Sequence, residues 1–298
     1  MQTMKKNAKL SFLLILLSVS VLFLFTSCSD SKKVSERYCF GTLCSVTLYG
    51  KTKDSNEIFD NIWSRMSEIE NHISANIPDS TVGRFNAGES VSFDSDTLSV
   101  LDVATRFYEL TGGALSPYLG AVTELWGIGT ENARVPSAEE IQKALTEKKL
   151  DLGAYGKGYA ADEAAKILRK SKVSSALINF GGNICCVGCR PDGKAFRIGL
   201  QDPDGLRGTY SKTVDVTDGC VVTSGSYERF FCSEGVTYCH IFDAGTGMPV
   251  QNGLKAVAVT GPEGIICDAL STACFILGEK DSYNLLAHFP EYSVVFDL

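Results

Sequence analysis

The segment 151–162, DLGAYGKGYAAD, sets one lysine and two carboxylates among glycines and alanines, and Asn179-Phe180-Gly181-Gly182-Asn183 follows soon after. Small residues at the mouth of a helix leave backbone N–H groups open to a ligand. The helix dipole adds positive potential there, so the segment reads as a nucleotide phosphate site. Asp268 and Thr272 are four apart, so on a helix both oxygens leave one face and could share a cation. Carboxylate, hydroxyl and carbonyl oxygens suit Mg²⁺, although D-x-x-x-T alone occurs in very many helices. His240, at the end of a predicted strand, could serve as a base or bind a ligand. Asp243, just after it, fits an Asx-turn. Thr223-Ser224-Gly225-Ser226-Tyr227-Glu228-Arg229 offers hydroxyls and backbone donors, but by itself is a polar loop. Gly-x-Ser-x-Gly is absent.

The elements that must position these groups follow from periodicity. Alternation over 39–49 predicts a strand, and apolar residues at Ile58, Phe59, Ile62, Met66, Ile69 and Ile73 predict a helix over 56–74. A second helix spans 96–111 and stops at Gly112-Gly113. Ser137 and Glu140 form a capping box for a short helix over 137–147. A helix over 159–170 leaves the glycine-rich segment and a strand over 175–180 follows it. Short strands are expected at 196–200, 212–216, 219–223, 238–242 and 255–260, and a helix at 265–277. Strand runs interrupted by helices indicate an α+β fold with mixed or antiparallel sheet rather than a doubly wound one.

Composition narrows the function. Of 298 residues 44% are hydrophobic and 21% charged, which excludes a disordered adaptor. Lys5, Lys6 and Lys9 precede an uncharged run, 10–25, that ends in Leu24-Phe25-Thr26-Ser27-Cys28. The run is short for a spanning helix and fits an export signal. The residues before Cys28 resemble a bacterial lipobox, which predicts a signal peptide over 1–27, lipidation of Cys28, a polar tether over 28–36 and a folded domain over 37–298. Without the three lysines of residues 1–27 the formal net charge moves from −7 to −10. A chain this acidic has no electrostatic footprint for nucleic acid, so local charge must handle any phosphate. Of eleven cysteines, Cys185, Cys186 and Cys189 cluster, but only three histidines exist and no second CxxC lies nearby. Zinc is disfavoured; the strand-like setting of 184–187 favours small buried thiols, and any disulfide pairing is unreadable.

Taken in order, Phe40-Gly41-Thr42, Ser74 with Asn86, Gly112-Gly113-Ala114, the Asp151 to Asp162 motif, Asn179-x-Gly-Gly-Asn183, Thr223-Ser224-Gly225-x-Tyr-Glu-Arg229, His240-x-x-Asp243 to Gly247 and Asp268-x-x-x-Thr272 resemble the ApbE-type flavin transferases over about residues 37–280. The resemblance implies a T-fold-related α+β unit of two lobes with FAD bound between them. It implies transfer of FMN from FAD to a Ser or Thr hydroxyl of an exported protein, with release of AMP. Asp268, Thr272 and the main-chain oxygen of Ala154 match the family's Mg²⁺ ligands. Asp151, Lys157, Ala114, Leu115 and Ser116 fall on nucleotide-contacting positions. Phe40, Ser224, His240, Ile241 and Phe242 would line the flavin pocket.

Two positions depart from the family pattern. Phe40 stands where methionine is common, and Ala114-Leu115-Ser116-Pro117 replaces Ala-Phe-Asp-Pro, so Ser116 keeps a hydrogen-bonding oxygen but loses a charge. Metal-assisted phosphoryl transfer is the implied mechanism, with Asp268 or His240 as the candidate general base. The lipid anchor would hold the enzyme on the periplasmic face of the cell envelope, with the inner membrane expected. An Mg²⁺-dependent FAD pyrophosphatase and a non-catalytic FAD-binding lipoprotein are the competing readings.

Overall fold

Apolar side chains three and four residues apart make α1 (Ser55–Ile73), and the six that define the repeat are all buried. The computed structural model describes residues 32–206 and 208–297. The signal segment and Cys28 therefore lie outside the described residues. From Lys32 onward the chain is one contact unit, with eleven strands and seven helices among the described residues.

Seven strands form an entirely antiparallel sheet. They are β1 (Lys32–Cys39), β2 (Thr42–Tyr49), β3 (Ser175–Phe180), β4 (Asn183–Gly188), β7 (Cys220–Gly225), β10 (Ala256–Gly261) and β11 (Ser293–Phe296), in that spatial order. Alternate residues face opposite ways. Val46, Ile178, Cys185, Val222 and Val257 enter the main core beneath α1, α6 (Gly153–Lys170) and α7 (Gly264–Leu286). Cys186, Val221 and Ala258 enter a smaller cluster under the ribbon of β5 (Phe196–Gln201) and β6 (Tyr210–Val216). A third cluster surrounds Trp126, where α4 (Gly120–Trp126) and α5 (Ala138–Thr146) meet Phe242 and the hairpin of β8 (Phe230–Ser233) and β9 (Val236–Cys239).

Five expectations need correction. The polar tether expected over 28–36 gives way at Lys32 to β1, whose pairing with β2 starts the folded domain five residues before 37. The strand over 39–49 is the end of one strand, a turn and another: Phe40 and Gly41 both hold positive φ, 52° and 68°, the geometry of a two-residue hairpin loop. The helix over 159–170 begins six residues earlier, so the glycines form its first turns instead of a preceding loop. The strand over 238–242 ends at Cys239. The buried thiol reading holds for Cys186, but Cys185 is bonded to Cys220 directly across β4 and β7, with Cα atoms 4.1 Å apart.

Other local signals hold. The Ser137–Glu140 capping box is complete, and Asp94 caps α3 (Ser95–Leu110) through the Thr97 N–H. The helix that carries Asp268 and Thr272 runs beyond 277 only across a break at Gly278, where φ is 78°. The segment 79–86, which carried no helical pattern, contains the short α2 (Thr81–Asn86), capped by Ser80.

Candidate active site

Gly158 on α6 and Gly264 at the start of α7 face each other closely. A Cβ on Gly158 would stand 2.3 Å from the Gly264 carbonyl oxygen, and one on Gly264 would stand 2.8 Å from that of Gly158. Across this contact the two helices exchange carboxylates. Asp268 Oδ2 on α7 accepts the Gly158 N–H at 2.9 Å. Asp162 on α6 accepts the N–H groups of Gly264 and Ile265 at 2.7 and 2.9 Å, capping a helix whose N-cap residue, Glu263, makes no side-chain bond.

Asp268 is buried, and burial pushes its carboxyl up; the Lys157 charge, the N–H groups of Gly158 and Lys157 and the nearby Asn183 amide, which makes no hydrogen bond to it, work against that rise. Burial also pushes Asp162 up to about 6, helped by the charge of Glu263 and opposed by the two N–H groups it accepts. One turn after Asp268, Thr272 Oγ1 donates to the Asp268 carbonyl at 3.1 Å, and Ser271 Oγ does so at 3.0 Å. Ser224 Oγ on β7 lies 2.8 Å from Ser271 Oγ and 3.1 Å from Thr272 Oγ1. With its proton given to the main chain, Thr272 keeps lone pairs for a cation.

Ala154 lies in the first turn of α6, four residues before Gly158. The N–H that regular helical bonding would direct to its carbonyl is the one bonded to Asp268. Asp151, just ahead of the helix, accepts Gly153 N–H at 2.8 Å and the Thr123 hydroxyl at 2.8 Å. Its own N–H donates to Pro117 at 2.8 Å, which brings the 114–117 loop beside it. In that loop Leu115 is buried and Ser116 Oγ accepts the Tyr118 N–H, while Ala114 stays half-exposed.

Lys157 bears electrostatically on both Asp268 and His240. The His240 imidazolium is pushed down to about 4, by desolvation of the ring and then by the charges of Arg229 and Lys157. Its Nδ1 stands 3.3 Å from the Arg229 carbonyl. A carbonyl can only accept, so Nδ1 carries the proton and Nε2 is left as an acceptor. The Arg229 guanidinium reaches back to the Gly41 carbonyl at 3.5 Å, and Glu70 accepts the Phe40 N–H at 2.6 Å. The Phe40 ring stacks on Phe180 at 6.5 Å. Arg229 thus touches both the turn before β2, through its guanidinium, and His240, through its carbonyl.

Not every predicted contact faces this space. Ile241 and Phe242 are buried in two different core clusters, so only their main chain is available to a ligand. Asp243 makes the Asx-turn its sequence suggests, accepting N–H groups from Gly245 and Thr246 at 2.8 and 2.9 Å.

Sequence reasoning assigned no role to three residues at this site. Asn183 is buried with Nδ2 unpartnered, and the Tyr155 hydroxyl is buried without a partner near the charges of Asp151 and Asp268. Asp162 is the helix cap described above. Only the motif positions of Asn183 and Asp162 could have drawn attention to them. The orphaned Asn183 amide is a donor ready for a phosphate or carbonyl oxygen, and Asp268, Thr272 and Ala154 supply the all-oxygen set that a hard cation takes. The residues present therefore fit Mg²⁺ and a nucleotide. A second cluster, His72, Asp94 and Asp96, is structural in character. Arg65 and the Tyr159 hydroxyl bind Asp96, which Arg65, Tyr159 and His72 hold down at about 2 against its own burial.

The ApbE family profile matches residues 40–296. An FAD:protein FMN transferase of Treponema pallidum (strain Nichols) is 33% identical over 313 residues, covering 91% of this chain and 86% of its own. One from Vibrio cholerae serotype O1 is 29% identical, covering 76% and 75%. Among solved structures, the ApbE protein of Thermotoga maritima superposes with TM-score 0.81 at 30% identity, covering 89% of this chain and 94% of that one. Flavin transferase ApbE from Vibrio cholerae shares the fold with TM-score 0.80 at 24% identity, over 90% and 93%. The chain belongs to the ApbE family.

Proposed function

We propose that the protein transfers FMN from FAD to a Ser or Thr hydroxyl of an exported flavoprotein and releases AMP. The observation that carries this reading is the α6–α7 junction. There a buried carboxylate, Asp268, stands one helical turn from Thr272 and beside Lys157, with the unpartnered Asn183 amide next to it. FAD would lie across this junction, its phosphates toward Lys157 and Asn183 and its ring system between the Phe40 turn and His240. The acceptor hydroxyl attacks the FMN-side phosphorus, the bond to the bridging oxygen breaks, and AMP leaves with that oxygen.

Asp268, Thr272 and the Ala154 carbonyl would hold Mg²⁺, which when bound withdraws charge from the pyrophosphate. Two groups of the chain can take the proton of the attacking hydroxyl: Asp268, whose carboxyl burial pushes up, and Nε2 of His240, neutral but a weak base at about 4. Cys28, lipidated in this reading, would tether the domain to the periplasmic face of the inner membrane.

Incubation of residues 29–298 with FAD and Mg²⁺, with and without acceptor fragments, tests the reading. Covalent flavin fluorescence on the denatured acceptor with equimolar AMP is the expected result. Free FMN and AMP without an acceptor would make the protein a pyrophosphatase, and intact bound FAD under both conditions would make it a binding protein.

A further inference from the structure

The hairpin of β1 and β2 has two ends. Phe40 and Gly41 turn at the site, whereas Lys32 pairs with Tyr49 at the far end, eight residues or roughly 25 Å away at about 3.3 Å per residue. An open groove of about 400 Å³ lies at this far end. It is lined by 49–54 after β2, by the start of α1 and by 171–174 after α6.

Six exposed lysines gather there. Lys51, Lys53 and Lys172 line the groove, Lys32 and Lys33 begin β1 beside it, and Lys170 ends α6. None of the six forms an ion pair among the described residues. Lys33 spends its ammonium on Ser55 Oγ, 2.6 Å away, and on a main-chain oxygen. Asp54 and Glu57 are the acidic groups of the lining. Lys172 holds φ 57° in the turn that closes α6, where glycine is the residue free of strain. A cation for the helix dipole is no explanation, since Arg169 and Lys170 already supply it.

We infer that this lysine-lined end docks on anionic phospholipid headgroups, standing the domain on the membrane with its active site pointed away. The inference rests on the anchoring reading of Cys28. Lys32 stands four positions after Cys28, a stretch that fully extended spans at most about 14 Å. A lipid there brings this end, and no other, to the bilayer. The protein is acidic overall, yet charges at the site end lie beyond the screening length of about 8 to 10 Å. The membrane surface meets the lysines first.

The test uses the unlipidated domain, residues 29–298, whose contact unit from Lys32 excludes the leader. Sedimentation with phosphatidylglycerol vesicles is compared with pure phosphatidylcholine. Preferential binding to the anionic vesicles is expected, with about a fivefold loss per lysine neutralised. The triple variant Lys51→Gln, Lys53→Gln, Lys172→Gln then binds on the order of a hundredfold more weakly. Lys143→Gln, Lys148→Gln, Lys280→Gln changes the net charge equally and leaves binding and FAD affinity unchanged. Equal loss in both triples, no preference for anionic lipid, or no vesicle binding by the parent would each overturn the inference. So would displacement by inorganic phosphate beyond that by chloride of equal ionic strength, which would assign the groove to a free anion. Palmitate labelling of Cys28 in the full chain tests the anchor separately, because the vesicle assay carries no lipid on the protein.

Discussion

The two ends of α6 differ in how they use charge and space. At its start the chain buries what it could have left in water: Asp268 lies in a desolvated junction, and Gly158 and Gly264 exclude even a methyl group. At its end, lysines without ion pairs surround an open groove, and a Cβ on Gly50 would meet nothing within 4 Å. A buried charge costs stability unless it is paired or hydrogen-bonded, and such groups cluster at functional sites. The start of α6 accepts that cost and places the cost where chemistry is proposed. The other end keeps its charges solvated, where they act at a distance and constrain the fold little.

Replacing Asp268 by Asn is the sharpest way to break this contrast. The amide preserves shape but removes the charge, so transfer should fall on the order of a thousandfold, about 4 kcal/mol of barrier. Stability should hold or rise, because burial disfavours the ionised form at this position. Steady-state transfer and thermal melting of the same variant read both effects. Retained activity, or a collapse of the fold, would remove the functional meaning of the buried carboxylate.

Gly158→Ala should unfold the junction. The new methyl would sit 2.3 Å from a main-chain oxygen and 2.8 Å from the Asp268 Cβ, neither of which is a flexible chain end. The helices must separate, at upwards of about 3 kcal/mol. Gly50→Ala at the opposite end has φ +80° but open space, so it should cost only about 1 to 2 kcal/mol. Denaturant midpoints of the two variants give the comparison directly, and equal losses would mean that the α6–α7 contact yields.

Legibility in the sequence followed the distance over which each interaction acts. The Ser137–Glu140 box and the Asp243 turn close within three or four residues, and both were readable. The repeat of α1 was readable because one face meets one core. Phe40-Gly41 lacks the Asn-Gly signal of a two-residue hairpin, so β1 and β2 read as one strand. The glycines of 153–158 read as a loop because their low helix propensity is overridden by a contact with Gly264, over a hundred residues away. The pairing of Cys185 with Cys220 and the capping of α7 by Asp162 are likewise non-local, at separations of 35 and 102 residues. The motifs pointed to this junction, and only the fold shows which of its groups bind each other.

Asp162 allows the subtlest test, through pH. Its carboxyl rises from an ordinary 3.8 to about 6 in the folded protein, so between those values the native state binds the extra proton. Its contribution to stability is full below about pH 4 and is lost as pH climbs through 6, at most about 3 kcal/mol. Asp162→Asn cannot titrate and keeps one acceptor oxygen for the α7 N–H groups. Unfolding free energies of parent and variant from pH 4 to 7 should therefore diverge, the parent losing stability relative to the variant as pH rises. Parallel curves would show that the two N–H groups of α7 hold this carboxylate ionised throughout. Asp162 would then be a simple helix cap, and the buried charge of the α6–α7 junction would rest on Asp268 alone.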